Sequence, residues 1–74
     1  MLDYEFYYQH SLNTFGEYKD AYKNKFEARS MCSRFFVLKV KSIFERTGIS
    51  DEEKLTEIRA MNDALNDSFP PDEA

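Results

Sequence analysis

The chain contains one histidine, His10, and one cysteine, Cys32, and most nucleophilic or metal chemistry would have to run through them. A zinc site takes about four ligands, and a thiol nucleophile takes an oriented base; local spacing assembles neither. His10 is therefore read as a turn residue and Cys32 as a small buried hydrophobe, the common fate of a free cysteine. Asp51, Glu52 and Glu53, followed by Glu57, form an acidic cluster. A calcium loop sets oxygen ligands at alternating positions around a glycine turn, a pattern this cluster lacks, and helix capping accounts for it more simply. A solvated helix start also offers no burial to push two carboxylates apart in pKa for acid–base work. The sequence thus assigns no catalytic, metal-ligating or cofactor-binding residue, and the expectation is a non-enzymatic protein without a cofactor.

Two other constellations point to binding. Lys19, Lys23, Lys25, Arg29, Arg34, Lys39, Lys41 and Arg46 interleave with Tyr18, Tyr22 and Phe26, mixing phosphate-binding charges with stacking surfaces as nucleic-acid binders do. They are spread around the helix rather than along one stripe, and the net charge of −4 disfavours a general nucleic-acid binder. The stronger lead is aromatic: five tyrosines and seven phenylalanines in 74 residues, eight of them between Tyr4 and Phe26. Tyrosine suits interfaces because its ring is apolar and its hydroxyl tolerates a wet edge. Lys25 and Arg29 lie within the apolar sector of their helix, where long stems can rest on apolar surface while the charged heads reach a rim. Tyr4, Tyr7, Tyr8, Tyr18, Tyr22, Lys25, Phe26 and Arg29 are the resulting partner-binding candidates. The expected function is a non-enzymatic protein–protein interaction module, a small regulator, inhibitor or assembly factor that binds itself or a larger protein through its aromatic N-terminal half. The alternative is a nucleic-acid-binding helical dimer that uses the basic central helix. A plainer outcome also exists, in which the aromatic residues pack on one another inside a three-helix bundle.

Length bounds these readings. Seventy-four residues make a single domain, 1–74, that buries only about 60 to 65% of its unfolded surface, so outside help from oligomerisation or binding is expected. One cysteine excludes an intramolecular disulfide and fits a reducing compartment. No basic segment followed by an apolar run reads as a signal peptide, so a cytoplasmic location is expected. The longest apolar run, Phe35 to Leu38, is too short to cross a bilayer, and no membrane partner is expected.

The elements that would position these residues are helical. Asp3 can cap a short N-terminal element within an aromatic segment, 1–13, with Ser11-Leu12-Asn13 as a turn; extended structure is the competing state there. Thr14-Phe15-Gly16-Glu17 matches a capping box, and from Phe15 to Thr47 no proline interrupts the chain. A long central helix over about 15–47 is the expectation. Gly48 provides its stop, and Ser50-Asp51-Glu52-Glu53 opens a shorter antiparallel helix over about 51–69, ended by Pro70-Pro71 and a fraying acidic tail, 70–74. Charge supports the pairing: residues 18–46 carry +5 and residues 47–74 carry −6. The fold class is therefore all-α, a helical hairpin with one long arm. That arm would span about 50 Å and its partner about 29 Å, which leaves Phe15 to Ala28 uncovered unless the N-terminal segment folds back, a second copy covers it, or the helix breaks near 29–33.

Overall fold

The computed structural model describes residues 3–70 and contains three helices, α1 (Tyr4–Ala21), α2 (Lys25–Glu45) and α3 (Asp51–Ser68), with no strand among the described residues. All-α is thus the observed class, in a helical bundle. Of the expected tail 70–74, only Pro70 lies within the described residues.

The long helix does not form as expected. Residues 4–21 are one continuous helix, the chain leaves helical geometry at Tyr22, Lys23 and Asn24, and α2 starts at Lys25. The cause is local. Asn24 takes an extended backbone, and its side-chain oxygen accepts hydrogen bonds from the Phe26 and Glu27 backbone N–H groups at 2.7 and 3.3 Å. Asparagine at the N-cap with glutamate three residues later is the start signal that outcompetes Thr14 and Glu17. Thr14 instead sits inside α1, where its hydroxyl donates to the His10 carbonyl one turn back at 3.1 Å. The proposed turn at Ser11-Leu12-Asn13 is likewise helical, and so is His10. An unbroken 33-residue helix of about 50 Å would also overrun the bundle, whose longest dimension is 41 Å. No break occurs at 29–33, which is interior to α2.

The other boundaries follow the sequence closely. Asp3 caps α1 by accepting from Phe6 N–H at 3.0 Å, and Ser50 caps α3 by accepting from Glu53 N–H at 3.1 Å. Gly48 takes a φ of 81°, open to glycine at little cost, although α2 already ends at Glu45 with Arg46 extended. Lys54 then donates to the free Phe44 carbonyl at 3.3 Å.

With the chain reversed at 22–24, Phe15 becomes the fully buried centre. It shares the core with Ala28, Cys32 and Ile43 from α2 and with Met61, Ala64 and Phe69 beside α3, while Tyr18, Tyr22, Phe35 and Phe36 pack against that cluster. The stretch Phe15 to Ala28 of the expected long arm is thus divided: Phe15 and Ala28 enter the core from two different helices, and Phe26 stays exposed. α1 and α3 run in the same direction: Tyr4 and Tyr7 reach side chains on the body of α3, whereas Lys19 near the end of α1 bonds the Ser68 carbonyl at its close. Lys19 also lies 5.5 Å from the centre of the Phe69 ring. Arg46 and the buried Glu57 pair at 3.3 Å and tie the end of α2 to α3, as the charge pattern anticipates.

Two substitutions test this topology by sign. Asn24→Ala should destabilise by about 1 kcal/mol in urea unfolding, because it removes a cap; in a continuous helix the same change would stabilise. Gly16→Ala should stabilise by about 1 kcal/mol, since Gly16 lies within α1 and nothing stands within 4 Å of an added Cβ.

Candidate functional site

Tyr4, Tyr7 and Tyr8 recur at helical spacing, so α1 presents their rings on the side that meets α3. Each hydroxyl donates to a carboxylate there: Tyr4 to Asp63 at 2.5 Å, Tyr7 to Glu53 at 3.0 Å, and Tyr8 to Asp67. Tyr4 and Tyr8 also stack one turn apart, with ring centres 5.9 Å apart. A phenol that donates to a carboxylate holds its proton more tightly. The bond to Asp63, aided by lost hydration, pushes the Tyr4 phenol up to about 12. Tyr7 is raised first by burial and then by its bond to Glu53, and Tyr8 by its bond to Asp67 and then by burial. Acids that look solvated in the sequence are therefore the polar rim of an internal aromatic seam. Their spacing held the signal: Asp63 and Asp67 are one turn apart, as Tyr4 and Tyr8 are.

Tyr18 and Tyr22 stack on each other at 6.4 Å and join the edge of the core, Tyr18 also meeting Phe35. Five of the eight partner-binding candidates thus pack within the bundle. Lys25, Phe26 and Arg29 do not. All three are exposed, Phe26 at 82%, around a small recess that they form with Phe69 and Pro70. Lys19 and Lys23 line the adjoining recess with Tyr22, so four basic side chains gather at this corner of the bundle.

No protein-family model, curated protein or solved structure matches the chain. Of the six large hydrophobic side chains exposed among the described residues, four lie on α2. Phe26, Val37 and Phe44 project from one side of that helix, with Leu38 beside them; the last three are 64%, 59% and 67% exposed for Val37, Phe44 and Leu38 respectively. Between them Ser30, Ser33 and Arg34 line a shallow groove of about 370 Å³ with Val37 and Leu38. On a single helix over 15–47, at 100° per residue, Phe26, Val37 and Phe44 would share the side of Phe15. The break at 22–24 sets the core face of α2 independently of α1, and that leaves these side chains outward. Cys32 is fully buried in the core, which raises its thiol, and no cluster of metal-ligating side chains occurs among the described residues. No helix of the described residues is long and apolar enough to cross a membrane.

The tyrosine seam carries a pH signature. Its folded phenols hold their protons above the unfolded value of about 10, so the stability they contribute is complete below that pH and is lost as pH rises through about 12 for Tyr4. Alkaline unfolding followed by circular dichroism should begin above about pH 10, and Tyr4→Phe should flatten that dependence. Packing makes a second contrast measurable. Phe15→Ala should cost about 3 to 5 kcal/mol and unfold much of the population, whereas Phe26→Ala should shift the melt little.

Proposed function

We propose that this protein is a non-enzymatic interaction module of the cytoplasm, a small regulator, inhibitor or assembly factor, that engages a protein partner through the outer face of α2. The observation that supports the reading most is the run of outward apolar side chains from Phe26 through Val37 and Leu38 to Phe44. Isolated exposed hydrophobes are ordinary, but several on the outer side of one helix, with a groove beside Val37 and Leu38, suit a binding surface. Three of the residues singled out by sequence, Lys25, Phe26 and Arg29, sit at one end of this face and suit its charged rim. Tyr4, Tyr7, Tyr8, Tyr18 and Tyr22 act through the bundle that holds the face in place. A single buried thiol supports a reducing compartment.

A second reading keeps a specific observation. Lys19, Lys23, Lys25 and Arg29 surround exposed Phe26, which supplies a stacking ring among phosphate-binding charges. The predominance of acidic residues over the rest of the chain weighs against it.

Site-specific photo-cross-linking in cells separates these readings. A benzophenone side chain at Val37 should give a discrete protein adduct, and one at Asn62 on α3 should give none. Adducts at Asn62 with none at Val37 would move the interaction away from α2. Binding of an oligonucleotide that weakens steeply with salt and is lost in Lys23→Ala, Lys25→Ala would favour the second reading instead.

A further inference from the structure

Resting on the reading that the outer face of α2 binds protein, we infer that its occupant is a second copy of this chain, docked as an antiparallel α2–α2 pair. The two-fold axis would pass beside Arg34 and Phe35. Three features of the face support this partner.

The face is complementary to itself when reversed. At 100° per residue, Phe26, Ser30, Ser33, Val37 and Phe44 fall within an arc of about 60° on the exposed side of α2. Inverting one copy sets Phe26 opposite the partner's Phe44, and Val37 opposite the partner's Ser33. Large side chains then enter the groove that Ser30 and Ser33 leave open, as ridge-in-groove packing requires. A parallel pair would instead set Ser33 on Ser33 and Val37 on Val37, small on small and large on large.

The flanking charges follow the same inversion. Glu27, Lys41 and Glu45 lie together on one flank of the apolar strip, and all three are exposed. Among the described residues none of them has an ion-pair partner within the chain. In an antiparallel pair this flank faces its own copy, which brings Glu27 to Lys41, a contact that occurs twice. Arg34 is the one like-charge approach, close to the axis, and its long stem lets the two heads diverge into water.

The size of the face sets the strength. α2 is 21 residues and so about 31 Å long, and a single helix pair of that length buries less than the roughly 1,200 Å² of a stable standard interface. The dimer is therefore a weak one, added to a chain whose core around Phe15 is already closed.

Sedimentation equilibrium of the full chain over the micromolar to millimolar range should show reversible dimerisation. Glu27→Lys and Lys41→Glu should each weaken it about tenfold, since each turns two opposite-charge contacts into like-charge ones. Mixing the two variants in equal amounts should restore association, because in the mixed dimer both contacts become opposite-charge again. A misfolded variant would not be rescued by mixing. Val37→Glu should abolish association and leave the circular dichroism melt in place. A chain that remains monomeric throughout, or a mixture no stronger than either variant alone, would overturn the antiparallel pairing. In that event a Val37 photo-adduct of foreign mass would leave the interaction reading standing, whereas no adduct at Val37 would remove that reading as well.

Discussion

The aromatic rings of α1 need a surface that is apolar beneath their faces and hydrogen-bonding at their edges, and α3 provides both. Phe15 enters the apolar part completely, while Tyr4, Tyr7 and Tyr8 lean outward until their hydroxyls meet Asp63, Glu53 and Asp67. Each phenol gives up water for a carboxylate, so ring burial does not leave an orphaned polar group. The reversal at Tyr22–Asn24 follows from this seam, because only a chain that turns there can lay α1 beside α3 and still bring α2 back across Phe15. α2 in turn contributes Ala28, Cys32 and Ile43, whose modest size lets the larger aromatic rings close over them.

The sequence carried the class of fold and most element ends. Asp3, Ser50 and the stop near Gly48 act through nearest neighbours, and such local signals can be read without knowing the fold. The central break was harder because two capping signals compete. Thr14 with Glu17 and Asn24 with Glu27 are equally plausible by spacing, and what decides between them is the fate of Phe15, a tertiary matter. Helical phase failed for the same reason: a wheel drawn through residues 15–47 assumes one axis, so it put Phe26, Val37 and Phe44 on an inward side that does not exist once α2 has its own direction. Among the candidate residues, aromatic type alone could not separate Tyr7 from Phe26. Both are large rings, yet one is buried and the other almost fully exposed.

The same three helices thus divide their aromatic and aliphatic residues between two tasks. Those that meet α3 hold the bundle together, and those on the far side of α2 have no role in it. This division reconciles the small size of the chain with its aromatic content: most aromatic rings serve the bundle, and α2 carries four of the six large hydrophobics exposed among the described residues. Acidic residues follow a similar split. Glu57 answers Arg46 and three others answer tyrosines, which leaves the basic corner around Phe26 unneutralised by the described part of α3.

The parallel course of α1 and α3 has a kinetic consequence. Tyr4 and Asp63 are 59 residues apart along the chain, as are Tyr8 and Asp67, so the contacts that define the seam are among the most distant that 74 residues permit. Ordinary helical bundles fold fast because neighbouring helices satisfy one another in order. Here α1 waits for α3, with its rings in water until a segment 59 residues further along the chain has been made. Collapse of this chain is consequently a late and concerted event, and the newborn N-terminal helix is the segment most in need of protection from unwanted association.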